Sequence, residues 1–128
     1  MILNMEVNHT NIQIELISGS SSEALAELLR DGPLTLPMKD YAHMEKFGDL
    51  GVRLPRNDQH ITTKAEDVIL SEGRLLVIYY APNTWNFTRL GRVINMSEKE
   101  LKKVLGKGNI TATLTFQKRV TPASIGGE

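Results

Sequence analysis

The amino-acid sequence predicts a mostly β protein, a closed β-barrel of about seven to eight strands with two short helices. Apolar and polar residues alternate along several stretches of the chain, which is the period of a half-buried strand. Only two stretches show helical spacing, and strands and helices do not alternate regularly as in a doubly wound fold. A sheet of this kind avoids exposed edges by closing on itself.

Length and composition indicate one domain. The 128 residues suffice for a single hydrophobic core. With 41% hydrophobic residues, 23% charged residues and a net charge of +0, the chain falls outside the disordered class. We place the domain at residues 3–118 and expect residues 119–128 to form a disordered tail.

Charge, cysteine content and hydropathy each exclude classes of function. The 15 Lys and Arg residues against 15 Asp and Glu residues leave no surplus positive charge to attract nucleic acid. The lack of cysteine excludes disulfides, zinc–thiolate sites and cysteine nucleophiles. Residues 1–6 lack a signal-peptide pattern, and no apolar run approaches the roughly 20 residues that span a bilayer. We therefore expect a cytoplasmic protein that binds neither nucleic acid nor a membrane.

The first part of the chain predicts a hairpin followed by a helix. Two alternating runs, residues 3–7 and 12–16, flank a polar turn. Ser20 and Glu23 have the spacing of a capping box, and the leucine stripe after them ends at residues 32–33, Gly-Pro. We expect a short amphipathic helix that covers the sheet.

The alternation typical of a strand returns at residues 34–38, where Pro37 lies on the opposite face from the apolar side chains. Proline has no N–H to donate, which favours an edge strand or a bulge. At an edge, Pro37 would either block or flank a dimer contact, so a homodimer is left open. Residues 40–63 show no sustained period and are expected to be the longest irregular region, although a short strand is conceivable at residues 46–50.

The strongest hairpin signal comes from residues 68–70 and 75–80, which flank a Ser-Glu-Gly turn. The second arm is continuously apolar, so it is expected to be a central strand covered on both faces. Its two faces are then Val77 and Tyr79 on one side, and Leu76, Ile78 and Tyr80 on the other.

The remaining elements follow from the same rules. Residues 81–86 are expected to form a loop and residues 87–94 a strand. Ser97 and Glu100 form a second capping box, which opens a helix that ends at a glycine. Residues 110–116 alternate apolar side chains with threonine and predict the final strand.

Several segments together resemble the prokaryotic cyclophilin-like family. An acidic-led strand (residues 66–70), an apolar strand ending in aromatics (76–80) and a Leu-Gly-Arg-Val stretch (within 88–93) occur in the family's order. Residues 34–38 and 45–50 resemble a second block of the family. The resemblance implies a closed barrel of eight or so strands with a helix near each end, and it implies no particular activity.

Related prolyl isomerases carry a Phe-His-Arg-Val segment and a Gln-Gly-Gly-Asp segment, and this chain has neither. No isomerase residue can therefore be assigned here.

Aromatic residues cluster where a ligand could bind. Trp85, the only tryptophan, lies near Tyr79, Tyr80 and Phe87 in sequence. These side chains either line a pocket, as aromatics often do, or belong to the core.

Two charged groups near the aromatics have functional and structural interpretations. Arg89 could bind a carboxylate or a peptide carbonyl, or form an ion pair with Glu45 or Asp67. His43 and Glu45 could act as acid and base, but a solvated loop explains them as well.

Neither a metal nor a cofactor is expected. His9, His43 and His60 lie in three different predicted loops, without the spacing of a metal motif.

The favoured hypothesis is a non-enzymatic module that binds a small molecule or a peptide at the barrel rim. The residues expected to bind are Tyr41, Glu45, Phe47, Tyr80, Trp85 and Arg89. The alternatives are an enzyme, either a peptidyl-prolyl isomerase or a small-amide hydrolase, and an accessory domain that acts with a redox or carboxylase partner.

Overall fold

The computed structural model describes residues 1–42 and 44–117, and most of these lie in antiparallel β-strands. The elements in chain order are β1 (Ile2–Val7), β2 (Thr10–Leu16), α1 (Ser20–Leu28), β3 (Leu34–Tyr41), β4 (Glu45–Asp49), β5 (Gln59–Thr63), β6 (Asp67–Ser71), β7 (Leu75–Tyr79), β8 (Asn83–Val93), α2 (Glu98–Leu105) and β9 (Ile110–Gln117).

Eight of the strands form a closed ring. The pairing order is β2-β1-β9-β3-β4-β7-β6-β8, and β8 pairs in turn with β2. The remaining strand, β5, lies outside this ring and pairs with the first half of β8, from Asn83 to Phe87. The mostly β fold, the closed ring and the two short helices that the sequence predicts are confirmed.

Ring closure depends on a close approach of two backbones. Gly91 of β8 lies opposite Leu16 of β2. A Cβ atom added at Gly91 would come within 2.2 Å of the Glu15 carbonyl oxygen. Only glycine leaves room for the strands to pair here.

The ring interior is filled by the apolar face of each strand. In β1 and β2 the alternation expected from the sequence is confirmed, with every second side chain buried. The helices cover this core with Leu25 and Leu29 from the region of α1, and with Leu101 and Leu105 from α2. The inward-pointing side chains of the alternating strands therefore fill the ring interior.

A second, smaller core lies on the outer face of the ring. Ile69, Val77, Tyr79 and Phe87 pack together there, with partial cover from Phe47, Ile61 and Leu75. We call β5 together with the first half of β8, residues 83–87, the outer arm, because it covers this face. The expectation that β7 is buried on both faces, with its residues divided as stated, is confirmed.

The expectation of an irregular region at residues 40–63 is wrong, because β4 and β5 both lie within it, while the alternative of a short strand near residues 46–50 is confirmed by β4. Strand β4 shows no apolar alternation because its interior-facing positions hold Lys46 and Gly48, both buried. Strand β5 is mostly exposed and polar, so its position follows from pairing with β8 and not from hydrophobicity.

The expectation of a loop at residues 81–86 is also wrong. Strand β8 begins at Asn83, so Trp85 lies on a strand, opposite Ile61 of β5. The polar residues around Trp85 resemble a turn, but they pair with an equally polar partner strand.

Two local expectations fail and one holds. Strand β3 lies between β9 and β4, so Pro37 is not on an edge strand; its register partner is Thr111 of β9. Helix α1 begins after Gly19 without a side-chain cap, so Ser20 does not form a capping box. The capping box between Ser97 and Glu100 is confirmed at the start of α2.

The predicted tail at residues 119–128 lies outside the described residues. Within the described part of the chain, no helix is long and apolar enough to cross a membrane.

Candidate functional site

A cleft of about 460 Å³ opens on the outer face of the ring, where β4 and β7 meet the outer arm. Four aromatic residues line it, namely Tyr41, Phe47, Trp85 and Phe87. Val77 of the outer core forms part of its apolar surface. The cleft therefore exists because the outer arm covers only part of the outer face.

The aromatic side chains are held by contacts with one another and with the outer core. The rings of Tyr41 and Phe47 meet edge to face, with centroids 6.4 Å apart at 80°. Phe87 packs against Tyr79 with centroids 6.0 Å apart. Trp85 differs from these residues because it is 64% exposed, and an exposed indole leaves a large apolar surface in water.

The polar group at the base of the cleft is the carboxyl of Glu45. Strand pairing places Glu45 directly opposite Tyr79, and the residue is only 8% exposed. Burial raises the pKa of the Glu45 carboxyl above its ordinary value, and the nearby charge of Asp40 adds to the rise. The neighbouring Tyr79 hydroxyl and Asn83 side chain act in the opposite direction and lower this pKa without cancelling the effect of burial.

Tyr79 presents a buried hydroxyl to the same region. Its oxygen lies near Glu45, Asn83 and Thr63, but it forms no hydrogen bond of normal geometry with any described residue. Burial, followed by the charge of Glu45, raises the pKa of the Tyr79 hydroxyl. A buried hydroxyl without a partner is unusual in proteins and often marks a functional position.

The start of the outer arm is fixed beside these groups. The Thr63 hydroxyl donates to the Asn83 carbonyl oxygen at 2.9 Å and accepts from the Asn83 N–H at 3.1 Å. These two bonds join the end of β5 to the start of β8. They hold the Asn83 side chain next to Glu45 and Tyr79.

Four of the six residues expected to bind a ligand line this one cleft. They are Tyr41, Glu45, Phe47 and Trp85. The other two, Tyr80 and Arg89, are not among its lining residues.

Tyr80 is turned toward the ring interior. Its side chain belongs to the interior core, and its hydroxyl donates to Asp40. The fully buried Lys46 ammonium binds the same carboxylate at 3.0 Å and lies 5.7 Å from the centre of the Tyr80 ring. This is a compact polar network inside the ring.

Arg89 forms an ion pair with Asp67, at 3.2 Å. Asp67 is 1% exposed and also accepts a hydrogen bond from the Lys64 N–H at 2.9 Å. The structural interpretation of Arg89, an ion pair with Glu45 or Asp67, is therefore confirmed for Asp67.

The expectation of a solvated loop around Glu45 is wrong, because Glu45 begins a strand and is buried. His43 lies outside the described residues, so the hypothesis of a His43–Glu45 acid–base pair stays a prediction. Among residues 1–42 and 44–117 no group of three or more His, Asp or Glu side chains could hold a metal ion.

Sequence reasoning missed Asn83 and Thr63, and it did not connect Tyr79 with Glu45. The alternation in β7 showed that Tyr79 faces away from Tyr80. No sequence signal showed what covers that face, because the polar strand β5 has no apolar alternation.

The fold and its outer cleft define the class of protein, a closed ring of antiparallel strands with a pocket outside the ring. The model of the cyclophilin-like family matches residues 5–116, and the chain belongs to this family.

A search of solved structures gives a similar protein. The solution structure of a hypothetical protein from Archaeoglobus fulgidus is similar over 90% of this chain and 93% of that one, with a TM-score of 0.67 and 15% sequence identity. At this identity the likeness extends to the fold alone. No curated protein matches the chain.

Proposed function

We propose that this protein is a binding module that holds a small molecule or a short peptide in the outer cleft. The observation that carries the proposal is the exposed Trp85 in a cleft that also contains Glu45, a buried carboxyl group. A ligand seated there would cover the indole and provide a partner for the buried polar groups.

The dimensions and composition of the cleft support this proposal. Its volume of about 460 Å³ lies within the range of ligand pockets, roughly 300–1,000 Å³. Such pockets combine aromatic walls with a few well-placed polar groups. Here the walls come from Tyr41, Phe47 and Trp85, and the polar groups include Glu45 and Asn83.

The proposed site is held by strands and not by mobile loops. Glu45 and Phe47 lie on β4, and Asn83 and Trp85 lie on β8. Both strands are paired along these residues, so their backbone positions are set before a ligand arrives. Such preorganisation lowers the entropy lost on binding.

Trp85 provides a direct test, because it is the only tryptophan in the chain. We expect a screen of small molecules and extended peptides to yield compounds that change its emission and raise the melting temperature. The increase in melting temperature should be lost in Trp85→Ala. It should persist in Ile94→Ala, a matched truncation of another exposed apolar residue, which does not line the cleft.

The proposal fails if no compound changes the emission, or if Trp85→Ala keeps the full thermal shift. The isomerase, hydrolase and accessory-domain hypotheses, the homodimer and the cytoplasmic location stay predictions. A protease-coupled assay with Xaa-Pro peptides is the direct test of the isomerase.

A further inference from the structure

We infer that the ligand of the outer cleft carries a positively charged group, such as an amidinium, guanidinium or ammonium, which lies against Glu45 while its apolar part lies against the aromatic walls. This inference rests on the proposed function and names the chemical class of its ligand.

The charges along the cleft have one sign. Of the 12 described residues that line it, Glu45 and Glu72 are the ones with charged side chains, and both are acidic. Glu72 is exposed and has Arg74 at 3.8 Å, so solvent and a neighbouring cation already compensate it. Glu45 is therefore the carboxylate available to a ligand.

The surroundings of Glu45 contain no compensating cation among the described residues. The groups that act on its charge are the Tyr79 hydroxyl from β7, the Asn83 side chain from β8 and, from the ring interior, the Asp40 carboxylate of β3. Asp40 is a like charge, and the other two groups are neutral dipoles. The buried Lys46 ammonium is bound to Asp40 and to the Gly108 carbonyl oxygen instead.

A buried carboxylate without a cation is costly, and a bound cation removes that cost. An anionic ligand would instead be repelled by Glu45. The base of the cleft therefore discriminates between ligands of similar shape by their charge.

The walls of the cleft favour the same class of ligand. Tyr41, Phe47 and Trp85 place three aromatic rings on the lining of the cleft that also contains this carboxylate. Aromatic faces attract organic cations, and they also cover the apolar part of such a ligand. Aromatic walls and a buried acid thus act together on one molecule.

Benzamidine, benzamide and benzoate are matched probes, because they share one shape and differ in charge. Each can be titrated while the emission of Trp85 is followed, with excitation at the red edge of indole absorption. We expect benzamidine to bind saturably and about tenfold more tightly than benzamide, since a charge-assisted hydrogen bond replaces a neutral one. Benzoate should not bind.

Glu45→Gln keeps the size of the side chain and removes its charge. We expect this variant to bind benzamidine no more tightly than benzamide. Glu98→Gln, on the exposed face of α2 and outside the cleft, should keep the preference of the parent protein. Circular dichroism and melting temperature show whether each variant is folded.

The inference is overturned if benzamide or benzoate binds as tightly as benzamidine, or if folded Glu45→Gln keeps the preference. In either case, saturable binding of a probe at Trp85 would still support the proposed function as a binding module. If none of the three probes changes the emission, the inference is also overturned, and the broader screen decides the proposed function on its own.

Discussion

Glu45 carries a stability cost that depends on pH. Burial raises its pKa in the folded protein above the ordinary value of a glutamate, so the folded state holds this proton more tightly than the unfolded state does. The cost is then fully present above the folded-state pKa. It disappears as the pH falls toward the unfolded-state value.

We therefore expect Glu45→Gln to increase the free energy of unfolding at neutral pH, relative to the parent protein. The increase should shrink as the pH approaches the ordinary pKa of a glutamate, about 4.3. Urea unfolding at a series of pH values measures it. Glu98→Gln is the control, and a Glu45→Gln effect that is equally large at every pH would contradict the argument.

Tyr79 and Tyr80 are adjacent residues whose hydroxyl groups differ in their hydrogen bonding. The Tyr79 hydroxyl is buried without a well-formed hydrogen bond to any residue that the structure describes, whereas the Tyr80 hydroxyl donates to Asp40. Tyr79→Phe should leave stability unchanged or raise it by roughly 1 kcal/mol, because an unsatisfied group is removed. Tyr80→Phe should lower it by roughly 1–3 kcal/mol, because a carboxylate loses a donor.

Chemical denaturation of both variants compares these values. A larger loss of stability in Tyr79→Phe than in Tyr80→Phe would show that the Tyr79 hydroxyl has a strong partner after all.

At the scale of elements, β7 separates two cores. Ile78 is fully buried inside the ring, while Thr113 of β9 is partly exposed and lies between other polar residues. Ile78→Ala should cost roughly 2–5 kcal/mol of stability. Thr113→Ala should cost well under ~1 kcal/mol. Equal, small shifts of the two denaturation midpoints would contradict the placement of the core.

The predictability of each element follows from what its two faces contact. Strands β1, β2 and β9 alternate because one face of each packs on the interior core, and β7 is wholly apolar because it packs on both cores, so their sequences reveal them. Strand β4 places Lys46 inside, and β5 consists mostly of polar residues, so neither shows the period. Their positions depend on partner strands, which a local pattern does not contain.

The same limit explains what could be predicted of the site. Tyr41, Phe47 and Trp85 were found because aromatic residues are uncommon in this chain, and Glu45 was found because it lies close to two of them in sequence. The outer arm, which places Trp85 beside the other three, was not found, because most of its residues are polar. Arg89 and Tyr80 were predicted to bind a ligand because they lie near the aromatic residues in sequence. In the structure Arg89 pairs with Asp67, and Tyr80 binds Asp40 inside the ring.

For the whole molecule, the closed ring determines where a ligand can bind. Small barrels are filled by their own side chains, and the interior core here is packed with buried apolar groups. The outer arm instead covers one side of β7 incompletely and leaves an open cleft there. We therefore expect binding outside the ring, on the face that β4 shares with the first half of β8.

The most direct test of binding outside the ring is a titration followed by amide chemical shifts. The titrated compound is one that raises the melting temperature. The largest changes should occur in β4 and in residues 83–87, together with the indole N–H of Trp85. Strands β1 and β9, on the far side of the ring order, should be unaffected. Changes concentrated in β1, β9 or α2, with Trp85 and Glu45 unmoved, would contradict the placement of the binding site in the outer cleft.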